Sequence, residues 1–305
     1  MRVAAIDIGT NSMRLLIADY EDGRFKEREK HINTTRIGES VDEEGIINDD
    51  AIERNVDALE DFTELAREKG CKQIWAVGTS ALRDSKNSGE FLQRALEKSG
   101  VAVEIISGST EADLGFMGVL EGIQDKDENI LVVDIGGGST EFIVGNKYGI
   151  KFMKSENVGA LRMTEKFLKK DPVDKIEYMS MENHVSNEID DTVGEICRYN
   201  IKKVVGIGGT ITSVAAMLAE MEVYDMDKIH SSIITYPQIC ELLKTLKRLK
   251  TSEKMMLNGL QPKRADIITA GVGILEIVLR KICFDRMIVS EYDNLEGLVS
   301  RKISI

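Results

Sequence analysis

The sequence predicts an α/β protein built from two similar domains in tandem. The first observation is an internal echo. Ala5-Ile6-Asp7-Ile8-Gly9-Thr10-Asn11-Ser12 and Val132-Val133-Asp134-Ile135-Gly136-Gly137-Gly138-Ser139 share the pattern D-I-G-x-x-S. Each copy ends a short apolar strand and opens onto a second one, at residues 15–18 and 142–144. The copies lie 127 residues apart, a domain length rather than a solenoid period. The second observation is that runs of strand character alternate with runs of helical period, the pattern of an α/β chain. The third is size: 305 residues exceed one ordinary core and suit two.

Taken in order, residues 49–69 read as a helix. Asn48-Asp49-Asp50 can cap it, and Ile52, Val56, Leu59 and Phe62 recur at helical spacing. A strand at 73–77 ends in Gly78 and leads to a helix through Phe91, Leu92, Ala95 and Leu96. A strand at 102–106 precedes a helix at 110–122. After the second D-I-G copy come a strand at 150–154 and helical stretches at 160–170 and 175–198. A strand at 203–207 runs into Gly208-Gly209-Thr210 and a helix at 211–221. Helical pattern resumes at 236–249 and 264–282, followed by a strand at 286–289 and a closing helix from Leu295. The boundary is expected near Gly122 or in the charged loop 124–129, which includes Asp125. That gives an N-terminal domain of residues 1–123, completed by the closing helix at about 295–305, and a C-terminal domain of residues 124–305.

Composition narrows the function. Hydrophobic residues at 42% with 30% charged residues describe a chain able to fold a core rather than a disordered one. A net charge of −12 argues against nucleic acid or an anionic membrane as partner, and any polyanionic substrate needs a local basic site. Cys71, Cys197, Cys240 and Cys283 are far apart with no C-x-x-C pair, as expected of reduced thiols. His31, His184 and His230 are too scattered for a zinc site. No basic-then-apolar leader and no membrane-length apolar run occur, so a soluble, cytoplasmic protein is expected.

The stretch from Asp134 to Glu141, D-I-G-G-G-S-T-E, is rich in chemistry. Three glycines after a strand let the backbone turn sharply and present N–H groups unobstructed by Cβ atoms, a geometry that cradles phosphate. Asp134 at the strand end can hold a hydrated divalent cation. The same residues also suit a tight hairpin that needs glycine for shape alone. The matched first copy, with Asp7, Gly9, Asn11 and Ser12, favours phosphate binding on both turns. No G-x-x-x-x-G-K-[ST] sequence occurs, which excludes a P-loop enzyme.

The two D-I-G turns resemble the phosphate motifs of the actin and sugar-kinase superfamily. Further segments narrow the resemblance: Gly78-Thr79-Ser80-Ala81-Leu82-Arg83, Ile105-Ile106-Ser107-Gly108-Ser109-Thr110-Glu111-Ala112, Val205-Gly206-Ile207-Gly208-Gly209-Thr210, Arg264-Ala265-Asp266 and Ala270-Gly271. Together they are similar to the exopolyphosphatase / guanosine pentaphosphate phosphohydrolase (Ppx/GppA) family, nearly end to end and in order. The resemblance implies two ribonuclease H-like (actin-like ATPase) domains with an active-site cleft between them. It also implies metal-dependent hydrolysis of a terminal phosphoanhydride, with Mg²⁺ or Mn²⁺ as cofactor and a homodimer as the assembly. The substrate it implies is inorganic polyphosphate, with short chains expected in particular, or alternatively guanosine pentaphosphate.

Residue by residue, the resemblance makes Glu111 the general base and Arg83 the arginine that reaches substrate phosphates. Asp134, Glu141 and Asp7 become metal-associated carboxylates. Asn11, Ser12, Gly136, Gly137, Gly138 and Ser139 become phosphate donors, joined by Gly208, Gly209 and Thr210 from a third turn. The chain departs from the family pattern at Thr110, which replaces a second acid before Glu111. It departs again near its end, where Glu291, Tyr292 and Leu295 stand for an aspartate, a glycine and an arginine. A superfamily kinase, or a non-catalytic sensor of polyphosphate or alarmone, is the alternative reading.

Overall fold

Val3-Ala4-Ala5-Ile6 has no polar residue to turn toward water, and that places the strand in the middle of a sheet covered on both faces. The computed structural model describes residues 1–39, 41, 45–124 and 126–303. Asp125 of the charged loop and the last two positions of the closing helix lie outside the described residues. The chain divides into two compact units, Met1–Glu121 with Asp293–Ile305, and Gly122–Tyr292.

In the first unit, β1 (Arg2–Ile8), β2 (Met13–Glu21), β3 (Arg24–Asn33), β4 (Gln73–Gly78) and β5 (Val103–Ile105) form a sheet of order β3-β2-β1-β4-β5. The first three strands meander antiparallel, and β4 and β5 lie parallel to β1 through helical crossovers. Alternate side chains of β1 feed two cores. Ala4, Ile6 and Ile8 pack under helices α1 (Asp49–Glu68) and α3 (Ser88–Ser99), through Ile52, Leu59 and Phe91. Val3 and Ala5 face Leu114 of helix α4 (Gly108–Gly122) and Leu295, Leu298 and Val299 of the closing helix. Between β4 and α3 lies a short helix, α2 (Ser80–Asp84), that periodicity did not reveal. The side chain of Asn48 caps α1 by accepting from the Ala51 N–H at 2.8 Å, the expected start signal in its expected place.

The second unit repeats the plan. Strands β6 (Ile130–Ile135), β7 (Thr140–Asn146), β8 (Gly149–Glu156), β9 (Lys203–Ile207), β10 (Ile233–Thr235) and β11 (Arg286–Val289) lie in the order β10-β11-β9-β6-β7-β8. Leaving aside edge strand β10, this is the first sheet's order and set of strand directions again. Helices α5 (Ala160–Phe167), α6 (Lys175–Glu188), α7 (Asp190–Ile196), α8 (Gly208–Leu218), α9 (Met226–Ile229), α10 (Tyr236–Leu246), α11 (Thr251–Lys254) and α12 (Ile268–Lys281) complete it, and α13 (Asn294–Ile303) returns to the first unit.

Some local expectations need correction. The helix expected over 175–198 breaks at Ile189, which turns out of helix and into the core. The helix expected from 264 starts at Ile268, after a single 3₁₀ turn at Pro262–Arg264. Strand β3 was not anticipated at all. Its sequence, RFKEREKHIN, carries charges on an edge with little apolar alternation, as edges resistant to aggregation do.

Candidate active site

Except for Glu141, near the amino end of β7, every candidate residue lies near or beyond the carboxyl end of a strand, where ligands of open α/β sheets collect. Asp7 is the penultimate residue of β1, Arg83 follows β4 and Glu111 follows β5. Asp134 ends β6 and Gly208 follows β9.

The two D-I-G turns share one geometry. Gly9 N–H donates to Ser12 O at 3.1 Å, and Gly136 N–H donates to Ser139 O at 3.0 Å. In both, neighbouring donors take up the carbonyls. Thr10 O accepts from Gly38 N–H (2.9 Å) and Asn11 O from Arg36 N–H (3.0 Å). Gly136 O accepts from Ala160 N–H and Gly137 O from Leu161 N–H, each at 2.9 Å, while Gly138 O accepts from Arg162 Nε at 2.7 Å. Among the described residues, no protein acceptor takes the N–H groups of Gly137, Gly138 and Ser139. A turn with its carbonyls tied back and its N–H groups open is an anion cradle. Gly159 makes the close packing possible, because a Cβ there would lie 2.4 Å from Gly137 O.

In the first unit, Glu111 sits in the opening turn of α4, with Arg83 beside it. Arg83 Nη1 donates to Glu111 Oε2 at 3.2 Å and to Ile106 O at 3.0 Å. The carboxylate is buried and the guanidinium is half-buried. Ser107 Oγ caps the helix by accepting from Thr110 N–H at 3.1 Å. The Thr110 hydroxyl lies 3.0 Å from that oxygen, so the residue that replaces a second acid is drawn into the cap.

In the second unit, Asp134 and Glu141 are directly opposed across the antiparallel β6–β7 pair. Their side chains therefore share a face, and like charges so placed repel unless a cation lies with them. Ser155 Oγ donates to Glu141 Oε1 at 2.7 Å. Gly208 (φ +85°) passes so close that a Cβ would fall 2.1 Å from Asp134 Oδ1. Among the described residues, no three His, Cys, Asp or Glu side chains surround a point, so a full protein cage for a metal is absent. Two carboxylates that leave other positions to phosphate oxygens and water fit Mg²⁺, which dehydrates reluctantly.

The first unit differs at the equivalent place. Aligning the two turns puts Arg14 where Glu141 stands, and Arg14 is opposed to Asp7 across β1–β2. Arg14 pairs with Asp7 and, through Nη1, with Asp293 Oδ2 at 2.8 Å. Asp7 Oδ1 and Asn11 Oδ1 are buried with no hydrogen-bond partner. Asn11 Nδ2 donates to Ser12 Oγ at 2.9 Å.

The third turn is packed more tightly. Arg264 lies over Gly209, where a Cβ would meet Nη1 at 2.2 Å. Thr210 is buried against Gly271, and its hydroxyl has no partner. Sequence reasoning reaches Arg264 and, within the closing motif, Asp293 and Glu296 without giving them a role, and it misses Arg14 and Lys30. At the departures, Leu295 fills the apolar core, Glu291 accepts from the Tyr224 hydroxyl, and Tyr292 packs on Gly122.

Asp293 carries a pH signature. Burial favours its protonated form, but the Arg14 guanidinium, the Lys30 ammonium and the Leu295 N–H outweigh this and hold the carboxyl at about 2. An aspartate is near ~3.9 in an unfolded chain, so the depressed folded value stabilises by roughly 2 kcal/mol, present above pH ~4 and lost as pH falls toward 2. Urea denaturation from pH 7 to pH 2.5 is expected to show Asp293→Asn less stable at neutrality, with the gap to wild type closing below pH ~4. A gap that stays constant with pH would contradict the assignment.

Two copies of one sheet order, each opening at its centre into an aspartate–glycine anion cradle, define a two-domain actin-like protein. Its match to an Aquifex aeolicus PPX-GPPA enzyme has a TM-score of 0.82 at 33% identity and covers 99% of each chain. The chain belongs to the Ppx/GppA phosphatase family, which matches residues 16–304. It is 33% identical to exopolyphosphatase 2 of Mycobacterium tuberculosis over 97% of each chain. It is 37% identical to a bifunctional 3-dehydroquinate synthase/phosphatase of Fusobacterium nucleatum over 97% of this chain, which spans 46% of that protein. No helix among the described residues is long and apolar enough to cross a membrane.

Proposed function

We propose that this phosphoanhydride hydrolase releases orthophosphate from the end of inorganic polyphosphate, short chains in particular, with Mg²⁺ as cofactor. The observation that carries the reading is Glu111, a buried carboxylate at a strand-to-helix turn whose oxygen is held by Arg83. A superfamily kinase would use a carboxylate base on an acceptor hydroxyl, but the segment 105–112 that carries Glu111 resembles the phosphohydrolases rather than the kinases.

Glu111 accepts a proton from water as the water oxygen bonds to the terminal phosphorus. The bridging P–O bond breaks, and its electron pair leaves with the shortened chain. Arg83 exchanges part of its contact with Glu111 for a phosphate oxygen, which frees the carboxylate for water. In the second unit the open N–H groups of Gly137, Gly138 and Ser139 orient phosphate oxygens, and in the first unit the Asn11 and Ser12 side chains are the corresponding donors. In the second unit Asp134 and Glu141, and in the first unit Asp7 Oδ1, are the groups that could hold Mg²⁺, and a bound ion would supply neutralisation of phosphate charge.

Phosphate release is to be measured from tripolyphosphate, long polyphosphate, guanosine pentaphosphate and ATP, with Mg²⁺ and with chelator. Tripolyphosphate is expected to react fastest and chelator to abolish release. Faster release from guanosine pentaphosphate would replace the substrate assignment, and undiminished release in chelator would remove the cofactor. Binding of these anions without any release would favour a sensor.

A further inference from the structure

The first unit contains a charge chain of which the reaction above uses only Asp7. It runs Asp7, Arg14, Asp293, Lys30, Glu296, Arg28, alternating in sign along its whole length. Lys30 Nζ lies 3.2 Å from Asp293 Oδ2 and 3.1 Å from Glu296, and Arg28 Nη1 lies 2.8 Å from Glu296 Oε1. Asp293 opens α13 as its cap. Its Oδ1 accepts from Leu295 N–H at 3.0 Å, and its own N–H donates to Glu296 Oε2 at 2.9 Å. Asp7, Asp293 and Glu296 are all buried.

We propose that Asp293 is a positioning residue for the first phosphate turn, acting on Asp7 through Arg14. An arginine next to one carboxylate prefers to grip both of its oxygens. Here Nη1 of Arg14 is committed to Asp293, and Nη2 reaches Asp7 through Oδ2. Asp7 Oδ1 is left buried and without a partner. When Asp293 no longer holds Nη1, the guanidinium is free to turn onto both Asp7 oxygens and occupy the one offered to ligand. The helix cap and Lys30 fix Asp293, so the closing helix sets the state of a carboxylate on the far side of the sequence. The proposal rests on the reading that Asp7 serves the reaction.

The test is a double-mutant cycle on the full chain with Asp293→Asn, Arg14→Gln and the pair, each assayed well below its melting temperature. Outer-shell partners of this kind typically cost about 10–100-fold, so Asp293→Asn is expected to lower kcat/KM by about tenfold and to raise the Mg²⁺ needed for half-maximal rate. Because Asp293 acts through Arg14, the double variant should be no worse than Arg14→Gln alone. A purely structural role would lower the melting temperature and leave kcat/KM and the Mg²⁺ requirement unchanged; that result, or additive losses, overturns the proposal. Asp293→Ser, which keeps a cap on the Leu295 N–H, replaces Asp293→Asn if the latter does not fold. If the wild type binds tripolyphosphate but releases no phosphate, the hydrolase reading alone has failed. The same cycle is then read by calorimetric tripolyphosphate binding, where equal affinities overturn the proposal. Failure of the wild type to bind tripolyphosphate overturns both.

Discussion

Glu111→Gln is expected to reduce phosphate release by about 10²–10⁴-fold while leaving the fold intact. Glutamine has the same shape and can still accept from Arg83 Nη1 through its amide oxygen, so the strand-to-helix turn has no reason to move. It cannot take a proton from water. Because Glu111 also holds Arg83 at 3.2 Å, loss of the negative charge loosens that guanidinium. Substrate affinity should therefore stay level or rise while kcat falls, a split that separates a lost base from a damaged site. Steady-state kinetics with tripolyphosphate measures this directly. A variant retaining more than about a tenth of wild-type kcat would remove Glu111 from the role of base.

The second large effect is structural. Gly297→Ala is expected to destabilise the first unit by more than the ~1–3 kcal/mol usual for overpacking. A Cβ at Gly297 would lie 1.9 Å from Leu114 O, and one at Gly118 would lie 1.9 Å from Asp293 O. Both obstacles are main chain, so no side chain can rotate away, and α4 and α13 must separate. Glu111 rides on the first turn of α4, and Asp293 opens α13. Separation should thus lower activity as well as stability. Thermal melting is expected to fall by on the order of 10 °C, given roughly 2–4 °C per kcal/mol for domains of this size. Gly89→Ala is the control, since nothing lies within 4 Å of a Cβ there and its melting point should be unchanged or higher. Equal melting points for Gly297→Ala and wild type would contradict the close approach.

Much of this was legible from residue order, because the signals are local. The D-I-G turns need glycine for backbone reasons, and both copies carry it. The cap at Asn48 and the apolar run 130–133 that leads β6 into Asp134 follow from elementary periodicity and hydrogen bonding. Other local signals were present but weak. Asp22-Gly23 joins β2 to β3 with both residues at positive φ (52° and 73°), the preferred hairpin turn for this dipeptide. That signal marks β3, although the strand's own charges hide it. Arg14 was equally visible in principle, since laying one D-I-G copy over the other sets it against Glu141.

What the sequence by itself determined is the repeated α/β plan, the two anion turns and the membership of a phosphatase family, all written in short contiguous segments. Tertiary structure alone decided which charges meet. Arg14, which also holds Asp7, meets Asp293 from 279 positions away in sequence, and Lys30 meets Glu296 from 266. No periodicity encodes such pairs, because they arise only when the closing helix docks on the sheet and its buried carboxylates must find cations. The same docking explains Gly118 and Gly297. In the sequence they are two glycines inside helices with no visible reason to be glycine, but in the fold they are where two backbones touch.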